Sequence, residues 1–139
     1  MREPRRAVVC ATAAAAVLGA TAASAPATTE RAAAVYSLGA TSRCLAAHGA
    51  KVGVVRPRDT RLRQLHDLAQ KTSIEADFKS GRVGIAFSKS ESDARLLLEL
   101  LVVPKDPYRV VAKANAVLMY KPLHRKAYAV ALACLRPAA

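Results

Sequence analysis

Tryptophan is missing from this 139-residue chain, and only two phenylalanines and four tyrosines are present. Its core must therefore be assembled from many modest side chains, chiefly leucine, valine, isoleucine and alanine. Acidic residues are also few: ten, against 22 lysines and arginines, for a formal net charge of +12. Basic residues interleaved with aromatics, the pattern that stacks single-stranded nucleic acid, are nearly absent, which argues against a nucleic-acid partner. There is no Cys-x-x-Cys and no Gly-x-Ser-x-Gly. Neither a redox dithiol nor a nucleophile elbow has its usual sequence context. Histidine occurs only at 48, 66 and 124, spacings that do not make a metal-ligand pair. The expectation is that the chain holds no metal and no cofactor and is not an enzyme.

What is present begins with a leader. Residues 1–27 have the three parts of a signal peptide: a basic start at Arg2, Arg5 and Arg6, an uncharged run from Ala7 to Leu18, and small residues up to Ala25-Pro26-Ala27. The apolar run is short and alanine-rich, which favours a cleaved signal over a membrane span. Cleavage is expected after Ala27, with Ala20-Thr21-Ala22 as the competing site. Arg5-Arg6 hints at twin-arginine export without completing that motif. Residues 28–40 read as a flexible arm and 41–137 as one α+β domain. The mature chain is then expected outside the cytoplasm, secreted or held at the cell envelope.

Cys10 leaves with the leader, so Cys44 and Cys134 remain. An even count in an exported chain argues for a disulfide. The bond would close a loop of about 90 residues, worth up to ~4.6 kcal/mol in the chain-entropy model. Two cysteines alone do not make a zinc site.

Along the mature chain, Thr41 or Ser42 is placed to cap a helix over 43–48 that Gly49 ends. A short apolar strand, 51–55, stops before Pro57. Asp59 or Thr60 caps a second helix carrying Leu62, Leu65 and Leu68. Ile74, Ala76 and Phe78 then alternate with Glu75, Asp77 and Lys79. Ser80-Gly81 turns the chain, and Val83, Ile85 and Phe87 alternate again, a hairpin with one buried face. Ser90 caps a leucine-rich helix that Pro104 and Pro107 end. Residues 108–120 are β-rich, with a turn expected at Ala114-Asn115. Pro122 opens a last helix whose stripe of Leu123, Ala127, Val130, Ala131 and Cys134 faces inward. From 51 to 120 the order is β-α-β-β-α-β. This predicts a ferredoxin-like antiparallel sheet with additional N- and C-terminal helices, clasped to each other by the cysteines. RNA-recognition domains share that order, but their sheet aromatics are missing here.

Cys44-Leu45 followed by Gly49, Asn115 before an apolar strand, and Cys134-Leu135 at the end resemble a loose group of short exported proteins of GC-rich Gram-positive bacteria. The resemblance spans the mature chain. It implies an exported domain with paired cysteines and adds no activity. The copper binding of ferredoxin-like metallochaperones does not carry over, because their first-loop Cys-x-x-Cys is absent.

The chemistry-bearing residues each have a plain reading. Glu75 and Asp77 share one side of a strand and read as a solvated face. His48 reads as a surface residue at a helix C-terminus, and His66 and His124 as members of polar faces. Ser88, Ser90 and Ser92 suit turns and caps. Arg56, Arg58, Arg61 and Arg63 surround a strand–helix junction, and Lys121, Arg125 and Lys126 form a second basic group. Both are candidate anion-binding residues. An arginine-over-lysine bias with abundant alanine is also what a GC-rich coding sequence produces. The leading expectation is a non-enzymatic exported domain that meets an anionic partner, polymer or envelope component, through these cations. The alternative is a homodimeric small-ligand or protein-binding module that pairs through an open sheet face. Intact-mass analysis of the secreted protein is expected to give a chain beginning at Thr28. A chain still carrying Met1 to Ala27 would overturn the export reading.

Overall fold

The computed structural model describes residues 35–56 and 58–137. The predicted signal peptide and the first part of the predicted arm lie outside them. Helix α1 (Leu38–Ala47) is followed by β1 (Lys51–Gly53), α2 (Thr60–Leu68), β2 (Ser73–Phe78) and β3 (Gly81–Phe87). Then come α3 (Glu91–Leu101), β4 (Arg109–Lys113), β5 (Ala116–Tyr120), a 3-10 turn (Pro122–His124) and α4 (Arg125–Ala133).

The helices start where side chains satisfy their free N–H groups. Ser37 accepts from Ala40 N, Asp59 from Leu62 N and Ser90 from Asp93 N. The first of these moves the start of α1 from the expected Arg43 back to Leu38, inside the segment read as an arm. Tyr36 also bridges to Pro137, so the described end of that segment is part of the fold. Gly49, at φ +81°, follows α1 as its helix-ending residue.

The five strands form one antiparallel sheet in the order β1-β2-β3-β5-β4. The α+β class is as expected, but the ferredoxin-like strand order is not. That order would seat the first strand in the middle of the sheet. Here β1 is an edge strand beside β2, and β5 takes the place next to β3. The reason lies in which strands can be buried on both faces. From Val83 to Phe87 and from Ala116 to Met119 every residue is buried, whereas Lys51 and Gly53 of the three-residue β1 are exposed. The β-rich stretch 108–120 divides at Ala114, φ +48°, into the β4–β5 hairpin.

Both sheet faces are covered. On one, α1 and α4 bring Leu45, Ala127, Ala131, Cys134 and Leu135 against Ile74, Ala76, Val83, Ile85 and Leu118. On the other, α2 and α3 bring Leu62, Leu65, Leu97 and Leu101 against Ala86, Val117 and Met119. The hairpin thus has two buried faces instead of one, and the open face expected for a sheet-mediated dimer is not there. Leu123 also departs from its predicted place: it is 77% exposed. Pro122 to His124 form a 3-10 turn, so the helical phase that placed Leu123 inward starts only at Arg125.

The chain ends are tied together. Cys44 and Cys134 form the expected disulfide, with Cα atoms 5.4 Å apart. Ser37 N donates to Arg136 O at 2.8 Å, and Arg136 N to Thr41 Oγ1 at 3.3 Å. Asn115, buried in the β4–β5 turn, accepts from Tyr36 N at 2.6 Å and donates to Tyr36 O and Ser88 O at 3.1 and 3.0 Å. Replacing it leaves several main-chain groups without partners, so Asn115→Ala is expected to cost about 3 kcal/mol of unfolding free energy in urea titration. A loss within the ordinary scatter of surface substitutions, about 0.5 kcal/mol, would show the tie to be dispensable.

Candidate functional site

The second face of β2 is where the structure departs most from a solvated surface. Glu75 is only 3% exposed, because α2 lies across this face and the side chains of Leu62 and Leu65 fill the space over Gly84. Gly84 is the cross-strand partner of Glu75. A carboxylate held there needs compensation, and Arg82 supplies it. Its Nε lies 3.0 Å from both Glu75 Oε1 and Asp77 Oδ1, its Nη2 3.2 Å from Asp77 Oδ2, and its Nη1 3.9 Å from Asp59 Oδ2. Arg56 adds a second contact to Asp77 at 3.3 Å and a longer one to Glu75 at 3.9 Å. Burial pushes the Glu75 carboxyl above its ordinary value, an effect that Arg82 and Arg56 oppose without cancelling. The hydrogen bond with Asp77 raises Arg82 further.

Tyr108 closes the cluster. Its hydroxyl donates to Asp59, 3.1 Å from each carboxylate oxygen. Burial, together with the neighbouring Asp59 charge, pushes the phenol up to about 12. Lys121 Nζ stands 5.4 Å from the centre of the Tyr108 ring, a cation–π contact.

These groups line an open pocket of about 340 Å³ formed by Asp59, Asp77, Arg82, Tyr108, Lys121 and His124 with the apolar Leu62 and Met119. His124 is held by the main chain of β3. Its Nδ1 lies 3.1 Å from Arg82 N and 3.2 Å from Arg82 O. In either protonation state Nδ1 is occupied by the backbone, which leaves Nε2 for a ligand. The ring packs over Gly81, whose φ of +131° and lack of a Cβ make that approach possible.

A histidine and carboxylates therefore converge here. Both lining carboxylates accept hydrogen bonds, Asp77 from Arg82 and Asp59 from the Tyr108 hydroxyl, and among the described residues no serine, threonine or cysteine lines the pocket beside them. The groups still free to meet a solute are the Lys121 ammonium and the outer nitrogen of His124. The ammonium is a donor, and the histidine nitrogen donates in the tautomer whose Nδ1 accepts from Arg82 N.

The two predicted basic groups divide by role. Arg56 belongs to the Glu75–Asp77 cluster. Arg61 reaches Leu101 O at 2.5 Å and Asp106 at 2.7 Å, and so satisfies the C-terminal end of α3. Both are thus engaged by carboxylates of the domain, Arg56 while remaining exposed. Arg58, Arg63, Arg125 and Lys126 are exposed, and among the described residues no carboxylate lies within ion-pair distance of them or of Lys121. Of these cations Lys121 lines the pocket, together with Asp59 and His124; Arg58, Arg63, Arg125 and Lys126 are not among its lining residues. Glu75 and Asp77 are not the solvated pair expected, because α2 covers their face. His66 also has a partner, Ser73 Oγ at 2.6 Å. Arg82, Tyr108 and Asp59 were not singled out as site residues. Arg82 had a readable signal: it sits directly across the hairpin turn from Asp77. Tyr108 had none, since its meeting with Asp59 spans 49 residues.

No protein-family model matches this chain, and no curated protein or solved structure matches it.

Glu75 gives this site a pH signature. Its folded-state value lies above the unfolded one, so the native state holds the proton more tightly. The contribution of Glu75 to stability is then fully present below the ordinary carboxylate range and is lost as pH rises through the window between the two values. Glu75→Gln keeps the shape and removes the ionisation. It is expected to flatten that fall and to be at least as stable as the parent at pH 7 in denaturant titrations. A variant markedly less stable at pH 7 would mean that the ion pairs outweigh desolvation.

Proposed function

We propose that this protein is an exported, non-enzymatic domain that binds an anionic component of the cell envelope. Contact is made at the mouth of the Asp59–Lys121 pocket. One observation carries the reading. The internal carboxylates are matched by Arg56, Arg61 and Arg82, while Lys121, Arg125, Lys126, Arg58 and Arg63 have no acidic partner among the described residues. Lys121 lines the pocket, and the other four lie within five residues in the chain of the lining residues Asp59 or Lys121. Lys121 offers a directional donor, His124 a second where its Nδ1 accepts from Arg82 N, and the exposed cations add a longer-ranged attraction. A phosphate or carboxylate of an envelope polymer has the matching chemistry.

Export is supported by the leader pattern and by the Cys44–Cys134 bond, which belongs in an oxidising compartment. Among the described residues no helix is long and apolar enough to cross a membrane. The resemblance to short exported proteins of GC-rich Gram-positive bacteria points the same way.

The alternative, a homodimer, is favoured by a different surface from the sheet face. Leu68, Leu96 and Leu100 are each about half exposed and line a groove of about 620 Å³ with Val35 and Leu38. A second copy of the chain would cover it. A sedimentation profile independent of concentration would remove this reading.

The leading proposal is tested with the processed protein on immobilised poly(glycerol phosphate). Retention is expected at low salt and lost at high salt. Each cation near an anionic surface contributes roughly 1 kcal/mol. The combined Lys121→Ser, Arg125→Ser, Lys126→Ser variant is therefore expected to bind on the order of 100-fold more weakly at low salt. Retention that ignores salt, or a triple variant that binds like the parent, would overturn it.

A further inference from the structure

The disulfide has a third neighbour. Cys44 and His48 are four residues apart at the C-terminal end of α1, and Cys134 follows the last turn of α4. The two sulfurs and a ring nitrogen of His48 all lie within 4.8 Å of one another. Residues four apart on a helix share a face, so Cys44 and His48 approach Cys134 from one side. Cys134 is fully buried, Cys44 is half-buried and His48 is exposed. The trio therefore grades from the Leu45–Ala131 core out to solvent.

We propose that these three residues form a redox-gated Cys2His site for a thiophilic divalent ion of the zinc type. In the oxidised protein each sulfur is bonded to the other and neither is a thiolate. A dithiol reductant opens the site: it transfers two electrons to the Cys44–Cys134 bond and becomes a disulfide itself, leaving two thiols. Zinc then displaces one proton from each thiol into solvent and binds two thiolates and the His48 imidazole.

The geometry asks for little movement. Tetrahedral zinc with bonds of about 2.3 Å to sulfur and 2.0 Å to nitrogen spaces its ligand atoms roughly 3.5–3.8 Å apart. The sulfurs must part from bonding contact to that distance, and the imidazole nitrogen, within 4.8 Å of both, has on the order of 1 Å at most to close. The fourth position opens toward water on the exposed His48 side, which also provides the entry path. Two soft thiolates and one imidazole select zinc, cadmium or cobalt(II) over magnesium or calcium. Zinc at this point would hold α1 to α4 as the disulfide does. The chain ends would then stay clasped before oxidation, and the ion would shield both thiols from it.

The test uses the full chain carrying Cys10→Ser, so that only Cys44 and Cys134 supply sulfur, with cobalt(II) as the spectroscopic probe and zinc as competitor. The anaerobically reduced protein is expected to bind one cobalt(II) with the visible bands of a tetrahedral thiolate site. Zinc should abolish the bands and slow alkylation of both thiols at least tenfold. The oxidised protein should give no bands. His48→Ala, exposed and outside the core, should weaken binding at least tenfold. Where reduction loosens the fold, circular dichroism supplies the second readout, and zinc is expected to restore the folded signal to the reduced chain. Octahedral cobalt only, equal affinity in His48→Ala, equal binding by the oxidised chain, or a reduced chain that zinc neither binds nor refolds would each overturn the proposal.

Discussion

The closure of the chain ends is the constraint on which this architecture rests. The sheet face built from Ile74, Ala76, Val83, Ile85 and Leu118 is covered by α1 and α4, which are opposite ends of the described chain. Neither helix is long, and each presents only a few buried side chains to the sheet. Separately they would bury too little surface to offset their ordering entropy. Joined through Cys44–Cys134, the Tyr36–Pro137 bridge and the Ser37–Arg136 hydrogen bond, they act as one layer. Asn115 extends the tie to the sheet, since one side chain holds Tyr36 against the β4–β5 turn and Ser88. A core with no tryptophan and few other aromatics depends on such additional fastening.

The opposite face is organised by charge. Once α2 settles over Gly84, Glu75 cannot reach bulk water, and Arg82 becomes the centre of the layer. It touches Glu75, Asp77 and Asp59 at once. Such a cluster gives limited net stability, because desolvation takes back much of the Coulomb attraction. Its stronger effect is positional. Asp59 caps α2 through Leu62 N, accepts from Tyr108 and faces Arg82. The start of α2, the strand hairpin and the segment before β4 are thereby fixed around one guanidinium. The pocket is the space these groups leave open.

Much of this was readable from local pattern. Alternation of Ile74, Ala76 and Phe78 with their neighbours marked β2, the Ser80-Gly81 turn fixed where β3 starts, and two cysteines left after the leader predicted their own pairing. What stayed hidden depended on contacts far apart in the chain. Whether β1 or β5 lies beside β3 is decided by which strand is apolar on both faces, and β-α-β-β-α-β order alone is silent on that. Glu75 and Asp77 carried the alternation of a half-exposed strand. Only the arrival of α2 buries Glu75 and half-covers Asp77, and Gly84, a glycine inside a strand, is its single local trace. Leu123 failed for a smaller reason, because a 3-10 turn shifted the helical phase by which it was read inward.

The same sorting of charge decides which cations are left at the surface. A chain with 22 basic and ten acidic residues must leave cations without partners, and the fold decides which. Arginines with a rigid planar fork settle where several acceptors can be met together: Arg82 at three carboxylates and Arg61 at Asp106 and a helix-end carbonyl, both half-buried, and Arg56 at two carboxylates from the exposed side. Most of the acids of the domain's interior layer are consumed in doing so. Lys121, Arg125 and Lys126 follow a strand whose neighbours carry no free carboxylate, so their charge remains on the outside. The positive surface is thus a consequence of how the second face is packed. A substitution at Asp77 would leave Arg56 only its 3.9 Å contact with Glu75, and so alter the surface field from within the packed layer.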